Sequence, residues 1–537
     1  MGELKGIIEL LIPIFLYAEV HSKLPFIPNF LNNKLPEIIA DAPHRIDKYQ
    51  KLPILILIKD SHLYPLELLS IRFIIKQAGE TIREVELLDE TLCLSQKLWY
   101  RFFDIDPRTE GWIDLDIVFT VKHKKKIRKF KNNSYRTAKR RSLNVYISSE
   151  VLPDRDRIQY GDIHYHSFFT EDILEFGAPI DAAARMAEAA GLSFFAVTDH
   201  SYDLDDEIPK PEKKNPDPQR WQNFLTECDS IKDGNLILLP GIEVSAGNKK
   251  GENVHLLILN PERFYPGHGD GAEVRLEKKP DRSVSAILKH LNPSELAIAA
   301  HPFRSIFFLE KWLLRRGNWS FDDTNEKNLA GLQIFNGIRD RALHKSIKRW
   351  VEILLKGHIK FIYAGNDAHG GFNRYLQIRI PFVYVKLDEN RIFGLMKTGV
   401  YANGSMDRKG ITDLLRRGRC FVTTGPSLFF YLFKKNRKYF PGDVTDGRDL
   451  TLVLEAISIK EYGDIKSISI ILGDLVNKIE KRSVMRADKS KFFFSGKLPF
   501  TEFPLRYYIR IVCEAENGIA LSNPIWVECE EGKKNGF

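Results

Sequence analysis

The sequence is poor in cysteine and lacks several signatures that would have assigned its chemistry directly. Its 537 residues include five cysteines, which are odd in number, scattered and without C-x-x-C spacing. This argues against a disulfide framework and against a cysteine-bound zinc site. The G-x-x-x-x-G-K-[ST] loop, a convincing G-x-G-x-x-G and the G-x-S-x-G elbow are also missing. Nucleotide-fold chemistry and that type of serine hydrolase therefore have no support.

Long hydrophobic runs are missing as well. No run of eighteen apolar residues occurs, so we expect no transmembrane helix. The apolar stretch from Gly6 to Ala18 is interrupted by Glu9 and Pro13, and it lacks the basic start of a signal peptide. We therefore expect a cytoplasmic protein, with export left open.

Basic residues are unevenly distributed along the chain. The formal net charge is +9, from 80 basic and 71 acidic residues. Much of the excess lies in 122–141, which contains eleven Lys or Arg and no acidic residue. This stretch is interpreted as a solvated loop or hairpin on a β domain. The alternative is a patch that binds nucleic acid or another anionic surface.

The hydrophobic pattern changes twice along the chain. Ile113–Ile117 and Leu143–Ile147 alternate with period two, whereas strand-like and helix-like segments alternate from Ile158 to about Leu387. Alternating strands and helices predict a parallel sheet or barrel. The predicted regions are an irregular N-terminal segment (1–45), a β-sandwich-like domain (46–157), a barrel (158–405), a connecting helix (406–418), a C-terminal β-sandwich (419–528) and a tail (529–537).

Histidines and carboxylates concentrate at or inside the predicted strands of the central region. Each residue alone also fits a structural ion pair or a satisfied core histidine, but borderline divalent metals prefer these ligand types. Two imidazoles in a His-x-His pair project from the same side of a strand. The set predicts a polynuclear metal centre, and such a centre usually means hydrolysis. Its members are His164, His166, His200, Glu243, His255, His301, Asp367 and His369.

These segments, in this order, resemble the polymerase-and-histidinol-phosphatase (PHP) superfamily of metal-dependent hydrolases over roughly 158–387. The resemblance implies a distorted seven-stranded β/α (TIM-like) barrel, flanked here by two β-sandwich-like domains. It also implies two or three divalent ions (zinc, manganese or iron) bound by the eight residues above. Among them, His164, His166, His200, Glu243, Asp367 and His369 are assigned the catalytic role. A ninth ligand falls at Glu171 or Asp172, and the register does not choose between them.

A looser resemblance to the carbaryl-hydrolase-type branch comes from Asn336-Gly337, Asn366, Gly370–Arg374 and the segment 414–426. The function that we predict is a phosphoesterase that uses a metal-bridging hydroxide. The same centre would also suit a carbamate, ester or amide hydrolase. A third alternative is an inactive scaffold that binds a partner, a glycan or nucleic acid. Four residues in loops near the predicted mouth are candidates for binding substrate: Arg304, Asn336, Arg339 and Arg374.

Overall fold

A computed structural model describes residues 35–529 except 49, 89, 135–140, 171–176, 206–217, 232–235, 270–277, 305, 307–310, 313, 337–340, 374–376, 381–382, 387–390, 403, 405 and 448. The chain divides into two compact units. The first unit comprises 1–151, 170–191 and 368–393, and the second comprises 152–169, 192–367 and 394–537. Strands and helices are numbered in chain order.

The first unit is built mainly from antiparallel strands. Its strands are β1 (Glu37–Asp41), β2 (Arg45–Ile46), β3 (Leu52–Lys59), β4 (Leu66–Gln77), β5 (Glu80–Glu86), β6 (Leu92–Leu94), β7 (Leu98–Ile105), β8 (Gly111–His123), β9 (Lys126–Lys131), β10 (Leu143–Ile147), β18 (Ala368–His369), β19 (Gln377–Ile380) and β20 (Val383–Lys386). One sheet has the order β1-β3-β7 and another has the order β2-β10-β8-β4-β5. Apolar side chains from both sheets contribute to one core.

Strand β4 shows how the sequence pattern sets the buried face. Leu66 and Leu68 are buried at even positions, whereas Ile71, Phe73 and Ile75 are buried at odd positions. The pairing with β8 shifts register between Leu68 and Ser70. Because a single extra residue moves all later side chains to the opposite face, this irregularity keeps both apolar sets in the core.

The basic stretch forms a hairpin over its described residues. Strands β8 and β9 pair antiparallel up to His123 and Lys126, with a turn between them. The Lys122 ammonium lies 2.8 Å from a Glu67 carboxylate oxygen, and that of Lys131 lies 3.0 Å from an oxygen of Asp116. The hairpin interpretation is therefore confirmed as far as Lys131. Nucleic acid as a partner remains a prediction.

Seven strands of the second unit carry or adjoin the candidate ligands. They are β11 (Ile158–His166), β12 (Phe194–Val197), β13 (Ile237–Gly247), β14 (Asn253–Leu259), β15 (Leu296–Ala299), β16 (Leu329–Phe335) and β17 (Phe361–Ala364). Consecutive members are hydrogen-bonded neighbours. The pairs β13-β14 and β14-β15 are antiparallel, and the other pairs are parallel.

The same sheet continues beyond β11 into the C-terminal part of the unit. The remaining strands are β21 (Lys397–Tyr401), β22 (Cys420–Thr423), β23 (Ser427–Lys434), β24 (Arg437–Tyr439), β25 (Val444–Asp446), β26 (Thr451–Ile457), β27 (Ile465–Asp474), β28 (Ile479–Lys489), β29 (Lys491–Lys497), β30 (Arg506–Ala515), β31 (Gly518–Ser522) and β32 (Ile525–Glu528). From β11 the order runs β21-β22-β31-β30-β27-β28. A separate four-stranded sheet has the order β24-β23-β26-β29.

Helices are few and mostly short. They are α1 (Ile180–Ala189), α2 (Gln219–Ser230), α3 (Val284–Lys289), α4 (Phe321–Thr324), α5 (Arg341–Leu355) and α6 (Arg408–Arg416), with a 3-10 turn at Ser201–Asp203. Helix α1 lies in the first unit and the others in the second. Among the described residues, no helix is both long and apolar enough to span a membrane.

The predicted fold class was wrong. We expected an α/β protein with a TIM-like barrel, but strands greatly outnumber helices among the described residues. A TIM-like barrel needs parallel strands, each followed by a helix. Here β14 runs antiparallel to both neighbours, because a tight turn at 248–252 joins it directly to β13. The hydrogen-bonded path also runs open from β17 to β28, with no pairing of β17 to β11 among the described strands.

Candidate metal centre

The last residues of β11 contribute two imidazoles to a buried cluster of histidines and carboxylates. His164 and His166 are fully buried, and their Nε2 atoms lie 3.0 Å apart. Gly365 allows the close approach of the neighbouring strand end, since a Cβ there would lie 2.7 Å from the Cβ of His164. The alternation of β11 therefore delivers two imidazoles to one point, as the His-x-His spacing predicts.

Glu243 lies at the centre of the cluster. It is fully buried on β13, and both of its carboxylate oxygens face imidazole nitrogens. Its contacts are His255 Nδ1 at 2.7 Å, His200 Nδ1 at 3.0 Å, His301 Nε2 at 3.2 Å, His166 Nε2 at 3.4 Å and His164 Nε2 at 3.5 Å. Five imidazoles thus surround one carboxylate.

Asp367 supplies the second carboxylate. Its Oδ1 lies 3.2 Å from His164 Nε2 and 3.3 Å from His166 Nε2, and its Oδ2 lies 3.9 Å from His301 Nε2. The backbone N–H of Asp367 donates to the carbonyl of His164. Asp367 and His301 both have positive φ values, 52° and 28°. Backbone conformations of this kind are costly for residues other than glycine and cluster at functional sites.

Within the second unit, the donor atoms fall into two overlapping groups. His164, His166, Glu243 and Asp367 each place one ligand atom within 4.8 Å of the others, and so do His200, Glu243 and His255. Glu243 belongs to both groups. Its Oε2 is buried and accepts no hydrogen bond of good geometry from the described residues. Imidazole and carboxylate are ligands of divalent metals, and Glu243 belongs to both groups. The residues present therefore fit a site for two divalent ions that share Glu243.

The pKa values of four histidines in the cluster shift in two opposite directions. Burial alone would lower the pKa of His166, but the carboxylates of Asp367 and Glu243 beside it raise it to about 10. Burial also opposes protonation of His164, yet Asp367 and Glu243 raise its pKa. Burial lowers the pKa of His301 to about 4 and that of His200 well below its usual value. The last two imidazoles are therefore neutral at pH 7, the form that binds metal.

The pKa of Glu243 responds to its histidine neighbours. Burial would raise it, but His255, His164 and His200 hold it well below its usual value. Glu243 is therefore a carboxylate at neutral pH. An ionised carboxylate buried in this way needs compensating positive charge or metal coordination.

Gln333 positions His164, and the sequence analysis missed it. Its Oε1 lies 2.9 Å from His164 Nδ1, and its Nε2 donates to the carbonyl of Gly365. An amide oxygen can only accept, so Nδ1 of His164 carries the proton and Nε2 is left as the ligand atom. Gln333 lies 169 residues from His164 on β16, and no local spacing links the two.

Asp162, two residues before His164, supports the backbone beneath the cluster. Its carboxylate accepts hydrogen bonds from the backbone N–H groups of His164, Asn366 and Gly394, and from Asn366 Nδ2. It therefore fixes the backbone positions of His164 and of Asn366, the residue before Asp367. Asp199 similarly accepts from the N–H and hydroxyl of Ser167.

The remaining predicted site residues lie outside the two ligand groups of the second unit or outside the described residues. His369 ends β18, which belongs to the first unit. Arg304 is half-buried after His301, and its N–H donates to the His301 carbonyl. Asn336 follows β16 with a buried Oδ1 that has no hydrogen-bond partner among the described residues. Glu171, Asp172, Arg339 and Arg374 lie outside the described residues.

Comparisons with known proteins do not place the chain in a family. No family model matches it, and no curated protein matches it. Among solved structures, it is similar to a Parabacteroides merdae β-glucuronidase at 7% identity, covering 93% of this chain and 66% of that chain with a TM-score of 0.20. A Bacteroides uniformis β-glucuronidase 2 matches at 9% identity, with coverages of 93% and 62% and a TM-score of 0.18.

A third match is a putative β-galactosidase from Bacteroides fragilis, at 9% identity with coverages of 92% and 74% and a TM-score of 0.18. The chain spans less than two thirds of the length of the first solved structures it matches. At TM-scores this far below 0.5, these similarities carry no argument about the activity of this chain.

The comparisons require a correction to the sequence analysis. The assignment to the PHP superfamily, with its looser carbaryl-hydrolase-type likeness, was wrong. No family model matches the chain, and the sheet that carries the candidate ligands is open and mixed, instead of closing into the TIM-like barrel that the resemblance implied. The phosphoesterase assignment followed from that resemblance and is withdrawn with it. The physical reason for the error is that the resemblance used short ligand motifs, which different folds can share.

Proposed function

We propose that this chain is a metal-dependent hydrolase whose cluster binds two divalent ions. The observation that carries the proposal is the position of Glu243, a fully buried carboxylate shared by two groups of metal-ligand type. A structural ion pair would need one cationic partner, whereas Glu243 faces five imidazoles. A shared carboxylate suits two ions held close together.

The candidate ligands are assigned to two ion positions. His164, His166 and Asp367 would hold one ion, His200 and His255 would hold the other, and Glu243 would contact both. Divalent ions bound there would act as Lewis acids that lower the pKa of water and polarise the bond to be cleaved. Gln333 and Asp162 keep the first group in place, because one sets the tautomer of His164 and the other fixes the backbone beneath it.

Geometry argues against a two-carboxylate mechanism without metal. Such a mechanism needs one carboxylic acid and one carboxylate free to act on opposite sides of the scissile bond. Glu243 and Asp367 both contact Nε2 of His164, at 3.5 and 3.2 Å, so they face the same imidazole instead of a space between them. Imidazole-bound carboxylates of this kind are better suited to binding cations.

Hydrolysis assays with and without metal test the proposal. Protein reconstituted with Zn²⁺ or Mn²⁺ is assayed on p-nitrophenyl substrates that present a glycosidic, an acyl ester, an anilide and a phosphate ester bond. We expect turnover of at least one that is abolished by chelation and by Glu243→Gln, and retained in His344→Ala, a change on the exposed face of α5. Turnover that survives chelation or Glu243→Gln contradicts the proposal, as does metal-loaded protein that hydrolyses none of them.

A further inference from the structure

A buried arginine reaches the candidate metal centre from a segment that the sequence analysis did not consider. Arg316 is 7% exposed, and its Nη1 contacts Nε2 of His255. The other nitrogen of that imidazole, Nδ1, lies 2.7 Å from Oε1 of Glu243. The guanidinium is therefore separated from the central carboxylate of the cluster by a single imidazole ring.

The fold fixes this arrangement through Asn253. The backbone of Asn253 is bonded to Arg315 and Gly317 on either side of Arg316, as in a short parallel bridge. Its side-chain Nδ2 donates to the carbonyl of Leu314 at 2.9 Å. Residues opposite each other in a bridge point to the same face, and His255 follows Asn253 by two positions on β14. Arg316 is thereby directed to the face that carries His255.

The chemistry of the contact defines the state of His255. A guanidinium has only donors, so Nε2 of His255 must accept from Arg316. An imidazole whose Nε2 accepts carries its proton on Nδ1, and that N–H donates to Glu243. Both nitrogens are then committed, one to a cation and one to a carboxylate.

A metal ion on His255 is incompatible with this contact whichever nitrogen binds it. An ion on Nε2 needs the lone pair that Arg316 uses. An ion on Nδ1 leaves the proton on Nε2, which then cannot accept from a guanidinium. Metal binding at His255 must therefore break the contact between this imidazole and Nη1 of Arg316.

We propose that Arg316 is the residue that binds the anionic group of the substrate, and that it becomes available when a metal ion occupies His255. A guanidinium carries five N–H donors, and an oxyanion such as a carboxylate, sulfate or phosphate offers paired oxygens that the donor displaced from His255 can bond. The inference rests on the proposed function in that it assigns the same site an anionic substrate class. It makes metal binding and anion binding mutually supporting.

Titration of the protein with Mn²⁺ tests the metal part without requiring turnover. The free Mn²⁺ signal is followed by electron paramagnetic resonance for wild type, Arg316→Gln, and Arg315→Gln as a matched control on the exposed neighbour. Arg316→Gln removes a cation that competes with the metal ion for His255. The affinity for the more weakly bound Mn²⁺ ion should therefore rise roughly tenfold, because like charges repel strongly at partly buried sites. Arg315→Gln should titrate as wild type.

Repeating the titration with inorganic phosphate tests the anion part. Phosphate should tighten Mn²⁺ binding in wild type and in Arg315→Gln, and should do so much less in Arg316→Gln. Arg316→Lys keeps the charge but loses the planar fork, so it should keep the wild-type Mn²⁺ affinity and show the reduced phosphate effect. Thermal unfolding of each variant checks that the fold is retained.

The outcomes separate this inference from the proposed function. Equal Mn²⁺ affinity and an equal phosphate effect in wild type and Arg316→Gln overturn the role of Arg316, even if the protein is a hydrolase. If Mn²⁺ affinity and the phosphate effect differ as expected but no substrate is turned over, the role of Arg316 is supported and the proposed hydrolase function is contradicted. Absence of Mn²⁺ binding in every variant overturns both.

Discussion

Nε2 of His164 and Nε2 of His166 lie 3.0 Å apart, and each lies within 3.3 Å of the same oxygen of Asp367. Two imidazole nitrogens at this distance share at most one proton between them. A metal ion bound by the two imidazoles would accept a lone pair from each nitrogen and one from the Asp367 carboxylate. This relationship makes the pair the strongest candidate for a single metal position.

Replacing His166 should remove one ion and leave the other. His166→Ala deletes a nitrogen that belongs to the His164, His166, Glu243 and Asp367 group. We expect metal content measured by plasma mass spectrometry to fall by about one ion per chain, since a structural site usually needs four ligands. His344→Ala, on an exposed helix face, is the matched control and should keep the full content. Unchanged content in His166→Ala would contradict the assignment.

The two carboxylates should differ in how many ions they hold. Glu243 belongs to both ligand groups, whereas Asp367 belongs to the group of His164 and His166. Dialysed Glu243→Gln should therefore retain about two fewer ions than wild type, and Asp367→Asn about one fewer. The same losses in both variants would show that Glu243 is not shared.

Gln333 should control metal affinity without touching the metal. Gln333→Met keeps the volume but removes the acceptor for His164 Nδ1–H. We expect affinity to fall roughly 10- to 100-fold, as is typical when the partner of a ligating histidine is lost. Competition with a chromophoric chelator measures it, with Gln219→Met on the exposed end of α2 as the control. Equal affinities would mean that Gln333 is only a packing residue.

Asp162 should matter for stability as well as for the site. Asp162→Asn places an amide N–H₂ where the carboxylate now accepts four hydrogen bonds from His164, Asn366 and Gly394. Leaving buried donors without acceptors should cost about 3 kcal/mol in the free energy of unfolding. Chemical denaturation measures the change, and Asp156→Asn at an exposed position serves as the control. A loss below ~1 kcal/mol would contradict the role assigned to Asp162.

Lys360 should make stability rise with pH above 8. Burial lowers its pKa to about 8, although its Nζ donates to the carbonyls of Glu326 and Leu329. Between about pH 8 and the ordinary lysine pKa of about 10.4, the unfolded chain binds the proton and the folded chain does not, so the folded state gains stability as pH rises. The gain approaches ~1.4 kcal/mol per pH unit. Chemical denaturation at pH 7.5, 8.5 and 9.5 gives the free energy of unfolding of wild type and of Lys360→Met. A difference between the two that does not change with pH would contradict the prediction.

Some of the fold could be read from local patterns and some could not. Period-two alternation predicted strands at Ile113–Ile117 and Leu143–Ile147, and the structure has β8 and β10 there. The antiparallel position of β14 was missed, because its continuous apolar run looks the same whichever way the neighbours point. The barrel prediction failed at this step.

The candidate site shows the same limit. Local spacing suggested His164, His166, Glu243 and Asp367 as ligands, and the structure brings them together. His164 and His166 lie at the end of β11, Glu243 lies inside β13, and Asp367 follows β17. Gln333 and Arg316 carry no motif and meet His164 and His255 only through long-range packing, 169 and 61 residues away in the chain. A single sequence contains no signal for such contacts.

Anomalous scattering from a crystal of the metal-loaded protein, recorded at the absorption edge of zinc or manganese, tests whether two ions share Glu243. We expect two peaks in the cluster, one beside His164, His166 and Asp367 and one beside His200 and His255, with Glu243 in contact with both. A cluster without anomalous peaks, or with one ion that Glu243 does not touch, would contradict this expectation.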